Sequence, residues 1–534
     1  MYKIFCSKFF NYYFLISFVF VINYLVNNLF SSYWDALEFI YLLSLKPSLG
    51  HLLYKDYSFP HGPFLIIFFE FLNYFNRDNF NILLCLGIFQ SLFAGYLSYL
   101  FCSKIIKSSF AKKICFTITI FSFSIEYNFL YWDAYVFLIG IYSLYLIFLQ
   151  KNFLIGNLLL ALVFFLKQTF GLTFFLIYIF IILYDVVSKQ KFSLLKNLLY
   201  FLIFTFFNLL IIFVFYDIKK FYYENILFLL NYAEEHNRNS LLNYFYGIFF
   251  LLPNVSSFDD FKLIFTRTSF SYSQLVFYII FRLPTFLIIF YLLYKIKDFG
   301  KDYYKILLII ILSTILPQPL LGRLYWGTIY FFPIIPIIFI TYIFEKKNYL
   351  ITYYDIKLKK IILTYFCLAF LFLAFKTLHK VNYLEFSDEF IIKSNKHFFL
   401  NIHRKQLGND HFNYAKDMYR FMYNLEIKSG VFVLDSFSMS ILFLLAQPFV
   451  NQDFWSELSE SDYQWKARGL RYPADNQNFL ERFMTDIKVK KPEFILYKID
   501  QFQYLKVILP YNFFKDYYVR YKNKSFVLLQ KLNN

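Results

Sequence analysis

Residues 153–184 read FLIGNLLLALVFFLKQTFGLTFFLIYIFIILY, two apolar runs parted by the single polar pair Lys167-Gln168. Runs of this kind read as neighbouring membrane helices. Residues 153–166 lead out to Lys167, and residues 170–184 lead back in to Lys189, Lys191 and Lys196, because lysines collect on the cytoplasmic side of a bilayer.

The same alternation extends outward in both directions. Residues 10–30 form an apolar span that starts inside after Lys3 and Lys8 and carries no small-residue cleavage site. Residues 64–75 are too short to cross and hold Glu70, which suits an amphipathic helix in the interface. Residues 80–101 run in to Lys104, Lys107, Lys112 and Lys113, residues 114–125 run out, and residues 136–149 run in to Lys151. Further along, residues 198–216 run out. Residues 275–294, interrupted by Arg282 and Pro284, run in to Lys295, Lys297, Lys301 and Lys305. Residues 306–316, 328–344 and 361–375 complete about eleven crossings, with the C-terminus outside.

Composition agrees with this class. Of 534 residues 59% are hydrophobic and only 16% charged, far from a soluble domain, so the expected fold is a polytopic α-helical membrane protein. The net charge of +18 sits in short gaps between apolar segments, which excludes a nucleic-acid footprint and makes membrane lipids the surrounding partner. The 79 Phe and 50 Tyr exceed what interfacial belts need, so a single aromatic carries little functional information. Five cysteines lie in or beside apolar segments without metal-site or disulfide spacing. From residue 380 the composition turns polar, and GVFVLD (430–435), SMSILFLLAQ (438–447), KKPEFILYKI (490–499) and YYVRYKNKSFVLLQ (517–530) read as strand, helix, strand, strand. The expected division is a membrane domain, 1–379, with outer loops at 31–79 and 217–270, followed by a small outer α/β domain, 380–534, of a size that supports a modest core.

The least anchor-like stretch is 31–63, SSYWDALEFIYLLSLKPSLGHLLYKDYSFPHGP, which the lysine pattern puts outside. It carries Asp35, Glu38, Tyr54, Asp56 and His61 among aromatics, and a polar aromatic loop of this kind suits a lipid headgroup. Ser32 or Asp35 could equally cap a short helix. In outline, an Asp soon after the first crossing, then G-x-x-x-Y-x-D ending near a Gly-Pro pair, resembles the polyprenyl-phosphate-dependent glycosyltransferases of the GT-C class, whose branches include protein O-mannosyltransferases and the lipid A aminoarabinose transferase. The resemblance covers roughly residues 10–345; the tail resembles that class's outer domain only in position and class.

The resemblance implies a sugar transferred from a polyprenyl-phosphate donor to a lipid, glycan or protein acceptor on the outer face of a bacterial plasma membrane. Asp35 matches the first-loop acid, which takes the acceptor proton or anchors the centre while the anomeric bond to phosphate breaks with inversion; partial desolvation near lipid raises its basicity. Asp133, in EYNFLYWDAY (126–135), matches a second outer acid, although a carboxylate there also suits the following helix's N-terminal dipole. Lys167 and Arg323, the latter in GRLYWG with Tyr325, match cationic turns that face the lipid phosphate, where fixed positive charge lowers the barrier to its departure. Snorkelling of Lys167 to the interface and an interfacial Arg323 are the plain alternatives. The resembling class does not uniformly need a cofactor; a divalent ion between Asp35 and Asp133 stays open, with no His or Cys cluster to argue for it.

The chain departs from many relatives in having Asp35-Ala36 for an Asp-Glu pair and His61-Gly62-Pro63 for a Lys-Pro-Pro; Glu38, one turn on, and His61 are the substitutes. A polymerase or ligase using lipid-pyrophosphate donors would favour a large outer loop rich in Arg and His. A transporter or flippase would place ionisable residues in mid-membrane, and few stand within the apolar runs. The sequons at Asn254 and Asn523 are too short a pattern to set a compartment.

Overall fold

The computed structural model describes residues 63–64, 67–68, 81–105, 112, 116, 119–120, 132–187, 194–222, 226, 301–315, 389–393, 399–403, 416–418, 420–421, 431–433, 492–499, 513–524 and 526–532. The chain divides into two compact units. Among the described residues the first holds 84–209 and 301–315, and the second holds 210–222 and every strand. The expected crossings at 10–30, 275–294, 328–344 and 361–375, and the expected helix at 438–447, lie outside the described residues.

The first unit is built on α1 (Asn81–Ile105), α2 (Trp132–Phe148), α3 (Phe153–Leu166), α4 (Gln168–Val187), α5 (Leu194–Phe215) as far as residue 209, and α7 (Lys301–Ile315); α6 (Ile218–Tyr222) is a short turn in the second unit. Two helices among the described residues, Gln168–Val187 and Lys196–Phe215, are long and apolar enough to cross a membrane. At 17 and 14 residues, α2 and α3 span about 25 and 21 Å, less than the ~30 Å hydrocarbon core.

Aromatic contacts fix the helix directions. Phe93 meets Tyr142 at 5.8 Å and Phe101 meets Tyr145 at 5.3 Å between centroids, so α1 and α2 run parallel. Phe137 meets Phe174 at 5.6 Å and Phe148 meets Tyr178 at 5.8 Å, so α2 and α4 are also parallel. Phe164 meets Phe175 at 5.9 Å across the break at Lys167, which makes α3 and α4 an antiparallel hairpin. Asn157 Nδ2 donates to Asn197 Oδ1 at 3.0 Å and Phe164 meets Phe201, so α3 and α5 run together. Thus α1, α2 and α4 point one way and α3 and α5 the other. Lys104, Lys151, Lys196 and Lys305 all fall at one end, in keeping with the alternation read from the lysines.

Small residues let these helices close up. A Cβ on Gly140 would lie 2.2 Å from Phe174 Cδ2, and one on Gly171 would lie 2.5 Å from the Phe164 backbone. Between α2 and α3 the chain turns through Lys151, whose φ of 58° is left-handed, and Asn152 Oδ1 accepts from the Ile155 amide at 3.4 Å to open α3. Outward, α5 exposes Leu202, Phe206, Phe207, Phe213 and Phe215, the apolar surface expected where helices meet lipid rather than water.

In the second unit β1 (Glu389–Lys393) pairs antiparallel with β2 (Phe399–His403). A separate mixed sheet has the order β3-β4-β6-β5, formed by β3 (Val431–Val433), β4 (Phe494–Lys498), β5 (Tyr517–Lys522) and β6 (Phe526–Lys531). β3 and β4 are parallel, as an α/β reading requires, while β6 runs antiparallel to both its neighbours. The β1–β2 hairpin goes beyond the sequence reading, and residues 517–530, read there as one strand, are a hairpin. Asn523 makes its turn: Oδ1 accepts from the Phe526 amide at 2.8 Å, and Nδ2 donates to Asp417 Oδ2 at 3.1 Å. In β6, residues Phe526 to Leu529 are all buried, the continuous apolar run of a strand covered on both faces. At the sheet edge β5 is bulged between Val519 and Tyr521, a device that discourages pairing with foreign strands.

Candidate active site at the Lys167 end of the bundle

Lys167 is the one residue between α3 and α4, and its extended backbone (φ −155°, ψ 114°) reverses the chain. Its amide donates to Val163 O at 2.9 Å and closes α3, while its carbonyl accepts from the Gly171 amide at 2.9 Å and opens α4. The half-buried side chain brings Nζ to 5.4 Å from the Phe170 ring centroid. A cation over a ring face gains about 0.5–1 kcal/mol when partly exposed. The C-terminus of α3 favours a cation here and the N-terminus of α4 opposes it, so the ring contact is what favours the charge.

Phe170 in turn meets Phe137 of α2 at 6.0 Å, edge to face. One helical turn before Phe137 is Asp133, the second residue of α2. The sequence reading put Asp133 in the turn ahead of this helix; the helix starts one residue earlier and takes it in. Lys167 and the Asp133-bearing first turn of α2 thus share one end of the bundle, opposite Lys104, Lys151, Lys196 and Lys305. Also at this end is Tyr135, whose hydroxyl is within hydrogen-bonding reach of the Gln90 backbone on α1.

The remaining expected site residues, Asp35, Glu38, Tyr54, Asp56, His61, Arg323 and Tyr325, lie outside the described residues. Among the described residues no group of three His, Cys, Asp or Glu side chains is placed to hold a metal ion.

Two features escaped the sequence reading. Gln90 is 1% exposed, and neither its Nε2 nor its Oε1 has a hydrogen-bond partner. An amide inside an apolar run carries no charge to draw notice; its only signal was being polar within 80–101. At the opposite end of the bundle Lys305 Nζ lies 2.8 Å from Asp185 Oδ2, with the lysine side chain 9% and the aspartate 0% exposed. Lys305 was read as a loop lysine ahead of an apolar run starting at 306. The helix instead begins at Lys301, which carries Lys305 into the bundle against the last turn of α4.

No family model matches the chain, and no curated protein matches it.

Proposed function

We propose that the chain is an integral membrane glycosyltransferase of the bacterial plasma membrane that moves a sugar from a polyprenyl-phosphate donor to a lipid, glycan or protein acceptor at the outer leaflet. Asp35 takes the acceptor proton, Asp133 assists, and Lys167 and Arg323 with Tyr325 hold the phosphate as it gains charge. Tyr54, Asp56, His61 and Glu38 form the headgroup surface. The observation that supports the proposal is that Lys167, through Phe170, and the start of α2, through Phe137, meet at one end of the bundle, opposite the other described helix-end lysines Lys104, Lys151, Lys196 and Lys305. A fixed cation suits departure of a lipid phosphate, whose negative charge develops in the transition state. A divalent ion is no necessary part of this scheme.

The test offers purified protein radiolabelled polyprenyl-phosphate sugars with a membrane extract as acceptor. Transfer is expected, and Asp35→Asn is expected to lower it by about 10²-fold or more; transfer undiminished in that variant would remove the base.

One observation favours a second reading, a lipid or glycan transporter. The Asp185–Lys305 pair is buried and ionisable, as groups on a translocation path are, although it lies at the end of the bundle and not in mid-span. Flipping of a fluorescent lipid in reconstituted vesicles that is lost in Asp185→Asn, with no sugar transfer by the wild type, would select it.

A further inference from the structure

We propose that Gln90 binds the hydroxyl groups of the donor's sugar, an inference that rests on the glycosyl-transfer reading above. Gln90 lies in the first half of α1, 1% exposed, with both ends of its amide buried and unpartnered among the described residues. A buried amide without partners is strongly disfavoured in a membrane bundle, where no bulk water relieves it, so the group calls for a partner beyond the described residues, and we assign that place to the ligand.

Its surroundings say where that partner sits. The backbone of Gln90 meets Tyr135, two residues after Asp133 and two before Phe137, and Phe137 leads through Phe170 to Lys167. The backbone that carries the orphan amide is therefore level with the same opening turns of α2, as the contact of Phe93 with Tyr142 at 5.8 Å on these parallel helices also requires. Its chemistry says what the partner is. A phosphate diester oxygen only accepts, so it would satisfy Nε2 and leave Oε1 bare. A sugar hydroxyl both donates and accepts, and a vicinal pair satisfies both ends of the amide at once. Carboxylate and lysine then handle proton and phosphate, and the neutral amide reads the sugar.

The experiment uses the full-length chain in lipid nanodiscs and compares thermal stabilisation by polyprenyl phosphate alone with that by a panel of polyprenyl-phosphate-linked hexoses and pentoses. For the wild type, at least one sugar-bearing ligand is expected to stabilise more than polyprenyl phosphate does. Gln90→Leu, with Gln90→Met as a closer match in shape, is expected to melt no lower than wild type without ligand, since removing an unsatisfied amide relieves its burial. Both variants should keep the shift from polyprenyl phosphate and lose the increment from the sugar, with KM for the donor rising about tenfold or more. A full sugar increment in both variants, or a lower melting temperature for both without ligand, would overturn the role of Gln90 while leaving the transferase reading intact. No shift of the wild type with any of these ligands would overturn the transferase reading and this inference with it.

Discussion

Two lysines at opposite ends of the helix bundle are held in different ways, although Lys196, at the same end as Lys305, also lies over a ring, that of Tyr200, at 5.7 Å. At one end Lys305 is buried and locked onto Asp185 at 2.8 Å, so its charge is used up inside the protein. At the other, Lys167 stays half-exposed and rides on the Phe170 ring at 5.4 Å, in a backbone break between two helices. A buried pair suits assembly: Asp185 in the last turn of α4 and Lys305 in the first turns of α7 each oppose their helix dipole, and each offsets the other. A half-exposed cation held by an aromatic face suits a ligand that arrives and leaves. Under the proposed transfer reaction the Lys305 end would be structural and the Lys167 end reactive.

Breaking the ion pair should give the largest effect. Asp185→Ala or Lys305→Met leaves an uncompensated buried charge and is expected to cost about 3–5 kcal/mol, read as loss of folded protein in a denaturation series, while an apolar double replacement recovers most of it. If the single variants are as stable as wild type, the structural end is misassigned. Next comes Gly171, which seats the start of α4 on α3: because a Cβ there would meet the Phe164 backbone at 2.5 Å, Gly171→Ala should cost about 1–3 kcal/mol and disturb the Lys167 end selectively. Asn197→Ala, which removes the acceptor for Asn157 at the structural end, should cost about 1–2 kcal/mol without changing transfer. The smallest effect belongs to the turn at Lys151, where Lys151→Gly relieves a left-handed backbone and should add up to about 1 kcal/mol, measured by the same denaturation series.

Helix placement and direction were legible in the sequence, because long apolar runs bounded by lysines leave the chain few choices. Residues 80–101, 136–149, 153–166, 170–184 and 198–216 each correspond to a helix within a few residues, and the lysines at their ends gather on one side. What sequence could not supply was pairing. A lysine next to an apolar run reads as snorkelling whether or not a carboxylate 120 residues away meets it, so the burial of Lys305 was invisible. Gln90 was silent for the same reason: polarity within a span shows, but whether it is satisfied depends on neighbours. In the second unit the 517–530 hairpin was missed because its turn holds no Gly or Pro. Asn523 makes the turn through its own side chain, and the bulge after Val519 breaks the alternation that would have marked two strands. Of the expected site, the structure describes the Lys167 turn and the helical position of Asp133. The opening loop and the Arg323 turn enter the proposal on sequence alone.

Lys167 and Lys151, each in a break between two helices, stand at opposite ends of the bundle and give the matched pair for a test of the contrast between those ends. Sugar transfer by purified protein carrying Lys167→Met, Lys167→Arg or Lys151→Met tests it most directly, with folded protein matched by thermal denaturation. The expected result is a loss of about 10²-fold or more in Lys167→Met, partial recovery in Lys167→Arg and wild-type transfer in Lys151→Met. Equal transfer by Lys167→Met and Lys151→Met would contradict a reactive end at Lys167.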